Sequence, residues 1–253
     1  MKNQYFGDVG DYGKYGLLRF LAKQGLSIAV NWYLTPNDES NDGSKRDYLK
    51  DGHYRACDPE LFDVLREMCN QQEKDVCHFG QRGMIPGAIY YSKMVEPQSG
   101  GTNLAVVLRR AARKRWHQKA LEACAGPVLV FMDPDNGLKS GMPSAGKNAC
   151  KYVYASEVCD YYDRGQDVVY YCHKGRRKDV QWEKAKGILR KCRPEAAMLG
   201  VTYHRGTQRS YLFMVHPQKE LCYRAMLERF LKTQWGAHFT EECFKPDEQE
   251  DLK

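Results

Sequence analysis

The chain has 253 residues, 42% hydrophobic and 28% charged, with a formal net charge of +7. That length suits one large α/β domain or at most two small ones, and the balance is that of an ordinary globular protein rather than a low-complexity one. No uninterrupted apolar run approaches the ~20 residues of a membrane-spanning helix, and residues 1–7 lack an apolar signal core, so a soluble cytoplasmic protein is expected.

In chain order, Leu17, Leu18, Phe20 and Leu21 with basic residues between them predict an amphipathic helix over 11–24, ending near Gly25. Residues 27–33 read as the first strand. The stretch 35–44 is too rich in turn formers for regular structure and supplies Asn37, Asp38, Asn41 and Asp42. Asp58-Pro59 is the N-cap and first turn of a helix reaching about Cys69. A weaker strand or loop follows at 85–91, then a long basic helix over 103–124.

That helix leads into an all-apolar run, 128–132, that reads as a buried strand. Pro134 has no N–H for a ladder, so the strand ends at Asp133. Beyond it come a helix over 156–163, a buried strand over 167–172 and a helix over 180–191 stopped by Pro194. Strands over 196–203 and 209–215 are joined hairpin-fashion by 204–208, and a helix follows over 220–234. The acidic residues 245–253 read as a frayed tail. This alternation predicts a single α/β domain over 1–244 with three layers. A mostly parallel sheet lies between helices on both faces and carries a terminal antiparallel strand pair.

In open α/β sheets, ligands bind at the carboxyl ends of the strands. Three polar loops converge there in this topology: the segment after Tyr33, the run Asp133-Pro134-Asp135-Asn136-Gly137, and His173-Lys174-Gly175-Arg176-Arg177. Asp133 is the leading catalytic candidate and Asp135 the next, although a strand ending in an Asx turn looks the same. The N-terminal run adds Asp8, Asp11, Lys14 and Tyr15, with glycines that allow close backbone approach to a ligand. Two basic clusters, Arg109, Arg110, Arg113 and Arg115, and Lys174, Arg176 and Arg177, suit a nucleic-acid backbone. A solvated helix face has the same composition. The 10 cysteines form no C-x-x-C pair and read as reduced core residues.

Phe6, Asp11, Lys14-Tyr15 and Leu18, then Ile85-Pro86-Gly87-Ala88, then Asp133-Pro134, fall in this order along the chain. These islands resemble the bacterial 23S ribosomal-RNA adenine-N6 methyltransferases, a class I, Rossmann-like family. The resemblance implies an S-adenosylmethionine site lined by Asp8, Asp11, Lys14, Tyr15 and Asn31. It also implies that the target amino group is received by Asp133 and Pro134; Asn136 and His173 come near them through the loop convergence described above. The sequence departs from that family in two places. Where the family has a Gly-rich loop after its first strand, this chain reads Asn31 to Asp38 without a glycine. Where the family has Pro-Tyr after Asp-Pro, this chain has Asp135-Asn136. An extruded base normally stacks on an aromatic side chain, and Tyr171, His173 or Tyr12 are the candidates to replace it. Two other readings follow from the same residues. Asp133 and Asp135 could hold Mg²⁺ for nuclease or phosphotransfer chemistry with His173 as general base. Alternatively, the chain is a non-catalytic nucleic-acid-binding protein.

Overall fold

The computed structural model describes residues 1–40, 43–95, 103–143 and 148–244. Asn41, Asp42 and the acidic tail over 245–253 lie outside the described residues.

The elements run α1 (Val9–Lys23), β1 (Ile28–Asn31), α2 (Gly52–Arg55), α3 (Pro59–Asn70), α4 (Val76–Gln81), β2 (Ile89–Tyr91), α5 (Asn103–Ala123) and β3 (Leu129–Met132). They continue with β4 (Leu138–Lys139), β5 (Val153–Tyr154), α6 (Ala155–Asp163), β6 (Asp167–Cys172), α7 (Asp179–Lys186) and α8 (Ile188–Cys192). The last are β7 (Ala197–Tyr203), β8 (Arg209–Val215), α9 (Glu220–Leu231) and β9 (Phe239–Glu241). The helix starts follow local chemistry. Asp8 caps α1 by accepting from the Asp11 amide at 2.8 Å, and Asp58 caps α3 at the Leu61 amide with Pro59 in the first turn.

The seven-stranded sheet has the order β2-β1-β3-β6-β8-β7-β9. β2, β1, β3 and β6 are parallel, β8 is reversed, β7 returns to the first direction and β9 is reversed again. Alternation along each strand divides the core. Ile28, Val30, Leu129, Phe131, Val169 and Phe213 face α1, α3, α4 and α9. Ala29, Val130, Met132, Val168, Tyr170 and Leu212 face α5, α6, α7 and α8. This is the expected three-layer α/β architecture with a mostly parallel sheet.

Three differences have local causes. The expected helix over 180–191 is two helices separated at Gly187, a residue of low helix propensity. The terminal strands pair as expected, but β8 inserts against β6 while β7 lies outside it, because the chain skips one position and returns. The last helix stops at Leu231, leaving room for a short turn over Gln234–Ala237 that carries the chain to the edge strand β9.

Candidate active site

The chain order reverses between β1 and β3, since β2 lies on one side of β1 and β3 on the other. Ligand crevices of open α/β sheets form at the carboxyl edge of such a point. Asp133 lies there, its amide donating to the Asn31 carbonyl at 3.0 Å. Beside it opens a cavity of about 650 Å³, lined by the N-terminal segment, the start of α1, the Asp133 loop, the end of β6 and the β7–β8 turn.

The sheet register sets its floor. β3 and β6 pair Met132 with Tyr170, so the next step sets Asp133 beside Tyr171; β6 and β8 then pair Tyr171 with Tyr211. Two residues further on, His173 follows in the same way toward Arg209. Side chains two apart share a face, so these residues lie on the α1 side of the sheet.

Lys14, one turn into α1, is buried between two carboxylates. Its Nζ lies 2.7 Å from Asp133 Oδ2 and 2.8 Å from Asp11 Oδ1. Burial alone would lower the lysine's pKa, but Asp11 and Asp133 outweigh it and raise it. Burial raises the Asp11 carboxyl, against the pull of Lys14, while its Oδ2 accepts from the Gly7 amide and the Tyr15 hydroxyl. Asp135 is also engaged. Its Oδ1 is 2.8 Å from the Met1 ammonium and its Oδ2 accepts from Thr35 Oγ1 at 2.8 Å. Burial would raise its pKa, but the ammonium, Thr35 and Lys2 hold it below the ordinary carboxylate value. Across the cavity, Arg209 Nη2 pairs with Asp8 Oδ2 at 3.0 Å. Burial pushes His173 below the ordinary imidazole value, and the cations Arg177 and Arg209 add to that shift.

Of the residues singled out from sequence, Asp8, Asp11, Lys14, Asp133, Pro134, Asp135, Asn136 and His173 line this one cavity. Others do not. Tyr15 is core, stacked on Phe79 with ring centroids 3.9 Å apart. Asn31 is fully buried and turns its amide to the Tyr161 hydroxyl at 3.2 Å, on the opposite face. Tyr12 is core too, packed against Tyr48 and Trp235. The helical glycines make room for protein side chains, although Gly10 also borders the cavity. A Cβ at Gly10 would lie 1.9 Å from the Arg209 guanidinium carbon, at Gly13 2.8 Å from the Tyr203 ring and at Gly16 2.1 Å from the Trp235 ring.

Arg113 is not a phosphate-facing residue. Only 4% exposed, it donates to both Glu157 carboxylate oxygens at 2.6 and 2.9 Å and to the Tyr152 carbonyl. Arg110 and Arg115 are exposed and Arg109 is half-buried, but α5 packs on the face opposite α1, away from the cavity. Arg115 instead borders a second hollow of about 280 Å³ with Lys93, Trp116 and Lys119. After β6, Arg176 is exposed, Lys174 pairs with Asp179, and Arg177 folds back to donate to the His173 carbonyl. Sequence reasoning missed Tyr5, Lys45, Gln208, Arg209 and Tyr211 as lining residues. The start of β8 at Arg209 was readable, but not that its register brings it to α1.

No protein-family model matches this chain, and no curated protein matches it. Among solved structures, protein LPL1258 from Legionella pneumophila str. Philadelphia 1, described with the family model DUF519, is similar at a TM-score of 0.46. The two are 12% identical over 94% of this chain and 96% of that one.

Proposed function

We propose that this chain is an S-adenosylmethionine-dependent methyltransferase acting on an exocyclic amino group of a nucleic-acid base. The observation that carries the reading is Asp133-Pro134 at the carboxyl edge of β3, opening into the 650 Å³ cavity with Lys14 bound to one carboxylate oxygen.

The residues present fit such a cofactor in size and charge. The cavity lies within the roughly 300–1,000 Å³ of small-molecule sites. Its lining sets carboxylates (Asp8, Asp11, Asp133, Asp135) beside cations (Lys14, Lys45, Arg209), matching a molecule that carries an ammonium, a sulfonium and a carboxylate. The segment after β1, by contrast, is filled: Trp32, Tyr33 and Leu34 are buried there. The holding groups would therefore come from the start of α1, the segment at Lys45 and the β7–β8 turn, where the Asp8–Arg209 and Asp11–Lys14 pairs would open toward the cofactor's cationic groups and carboxylate.

The cofactor supplies an electrophilic methyl carbon. Lys14 engages Asp133 Oδ2 and fixes the carboxylate, which leaves Oδ1 to accept from the substrate amino group. The Pro134 carbonyl is the second acceptor, and together they turn the nitrogen lone pair toward the methyl group. Asp133 Oδ1, already the acceptor for the amino group, takes the proton that the nitrogen sheds once it is alkylated. Arg176, exposed on the turn after β6, offers charge to phosphates.

Isothermal titration with S-adenosylmethionine tests this, with Mg²⁺ titrated in parallel. Micromolar cofactor binding, weakened at least tenfold in Lys14→Met and in Asp8→Asn, is expected. Absence of cofactor binding, with Mg²⁺ binding lost in Asp133→Asn, would replace the reading with metal-dependent phosphodiester chemistry.

A further inference from the structure

We infer that Tyr171 and His173, at the end of β6, form the wall on which an unpaired nucleobase stacks while its amino group is held at Asp133; this rests on the methyl-transfer reading. The Asp133 loop continues through Pro134, Asp135 and Asn136 and brings no aromatic ring to the cavity. A base taken out of its stack needs one, because burying its faces against polar groups would not replace the stacking it has lost.

The register provides the replacement on the next strand. Tyr171 stands beside Asp133 on the same face, and His173 follows two residues on, so both rings line the cavity. Their centroids are 5.9 Å apart with planes inclined by 32°, and the Tyr171 hydroxyl meets His173 Nδ1 at 3.3 Å. Each ring thus restrains the other's rotamer. Tyr211, the cross-strand neighbour of Tyr171, lies 6.4 Å away between centroids with planes inclined by 56° and continues the floor of the cavity. The chain turns away immediately after His173, through Gly175 at φ +57. A side chain at Gly175 would come within 3.2 Å of the imidazole edge. A neutral imidazole accepts a base on its face without having to desolvate a charge. Tyr12, the other candidate from sequence, is excluded because its ring is sealed in the core. The ligand that fits is a planar base from single-stranded or locally opened nucleic acid.

The test uses a short single-stranded RNA carrying one 2-aminopurine, whose fluorescence is quenched on stacking, with S-adenosylmethionine titrated separately. Wild type is expected to quench the probe. Tyr171→Leu should lose the quench and roughly 5- to 150-fold in RNA affinity, the loss expected for one base–aromatic stack. Tyr171→Phe should retain both, His173→Leu should lose part, and cofactor affinity should stay within about twofold in all three. Circular dichroism of each variant checks the fold. No quench by wild type, or an equal quench by Tyr171→Leu, would overturn the stacking wall while cofactor binding still stood. A Tyr171-dependent quench without any cofactor binding would instead keep the wall and overturn methyl transfer.

Discussion

Lys14→Met removes the ammonium that sits between Asp11 and Asp133 and leaves both carboxylates buried, at 5% exposure each. Breaking a buried ion pair by deleting one partner costs about 3–5 kcal/mol, because the remaining charge has lost both water and counter-ion. For a domain of this size that corresponds to a fall of about 6–20 °C in Tm. The sign of the pH dependence follows from the pKa shifts. The raised pKa of Lys14 means its stabilisation is present below its unfolded value of about 10.4 and lost as pH rises through the folded one. In the variant Asp11, whose carboxyl burial raises, has lost the opposing pull of Lys14, so it penalises folding at neutral pH and stops doing so as pH falls toward its unfolded value of about 3.9. The difference between wild type and variant is therefore largest at about pH 6–9 and shrinks toward pH 4. Urea denaturation at pH 8, 6 and about 4.5, followed by circular dichroism, reads this directly. Adding Asp11→Asn to Lys14→Met should restore at least about 1 kcal/mol at pH 8. A loss below about 1 kcal/mol, or one that is flat with pH, would refute the account of the site's floor.

Gly16→Ala should destabilise by about 1–3 kcal/mol even though alanine is the better helix former by about 1 kcal/mol, because its Cβ would meet the Trp235 ring. A stabilised variant in the same denaturation assay would show that the ring can move aside. Arg113→Ala should cost about 3–5 kcal/mol through the uncompensated Glu157, whereas Arg115→Ala should change stability by no more than about 0.5 kcal/mol. If α5 meets nucleic acid, only Arg115→Ala should lower the salt slope of binding, by about one. His173 has a folded pKa below its unfolded value of about 6.5, so the unfolded chain binds more protons and stability should fall as pH drops below that value. His173→Phe should flatten that part of the profile, and NMR titration of the ring reads the shift itself. An imidazole titrating above about 6.5 would contradict it.

The strands and helices were legible because burial imposes its period on the sequence: Asp167–Cys172 and Arg209–Val215 are bounded as the apolar runs indicated, and Asp58-Pro59 marks the start of α3. Asp133 was legible for a covalent reason, since Pro134 cannot extend the ladder and leaves the carboxylate at the sheet edge. Partners were not. Arg113 and Arg115 sit two apart on the same basic helix, yet one is buried against Glu157 and the other exposed, a choice made by α6 packing across the sheet face. The glycines of α1 announced a close approach, and only packing decided that Arg209, Tyr203 and Trp235 make it. Asp8 and Arg209 are 201 residues apart in the chain and 3.0 Å apart in space. Local sequence sets backbone conformation through sterics and periodic burial. Which charges are neutralised and which face a cavity depends on contacts between distant segments, and those exist only once the sheet order and register have been fixed.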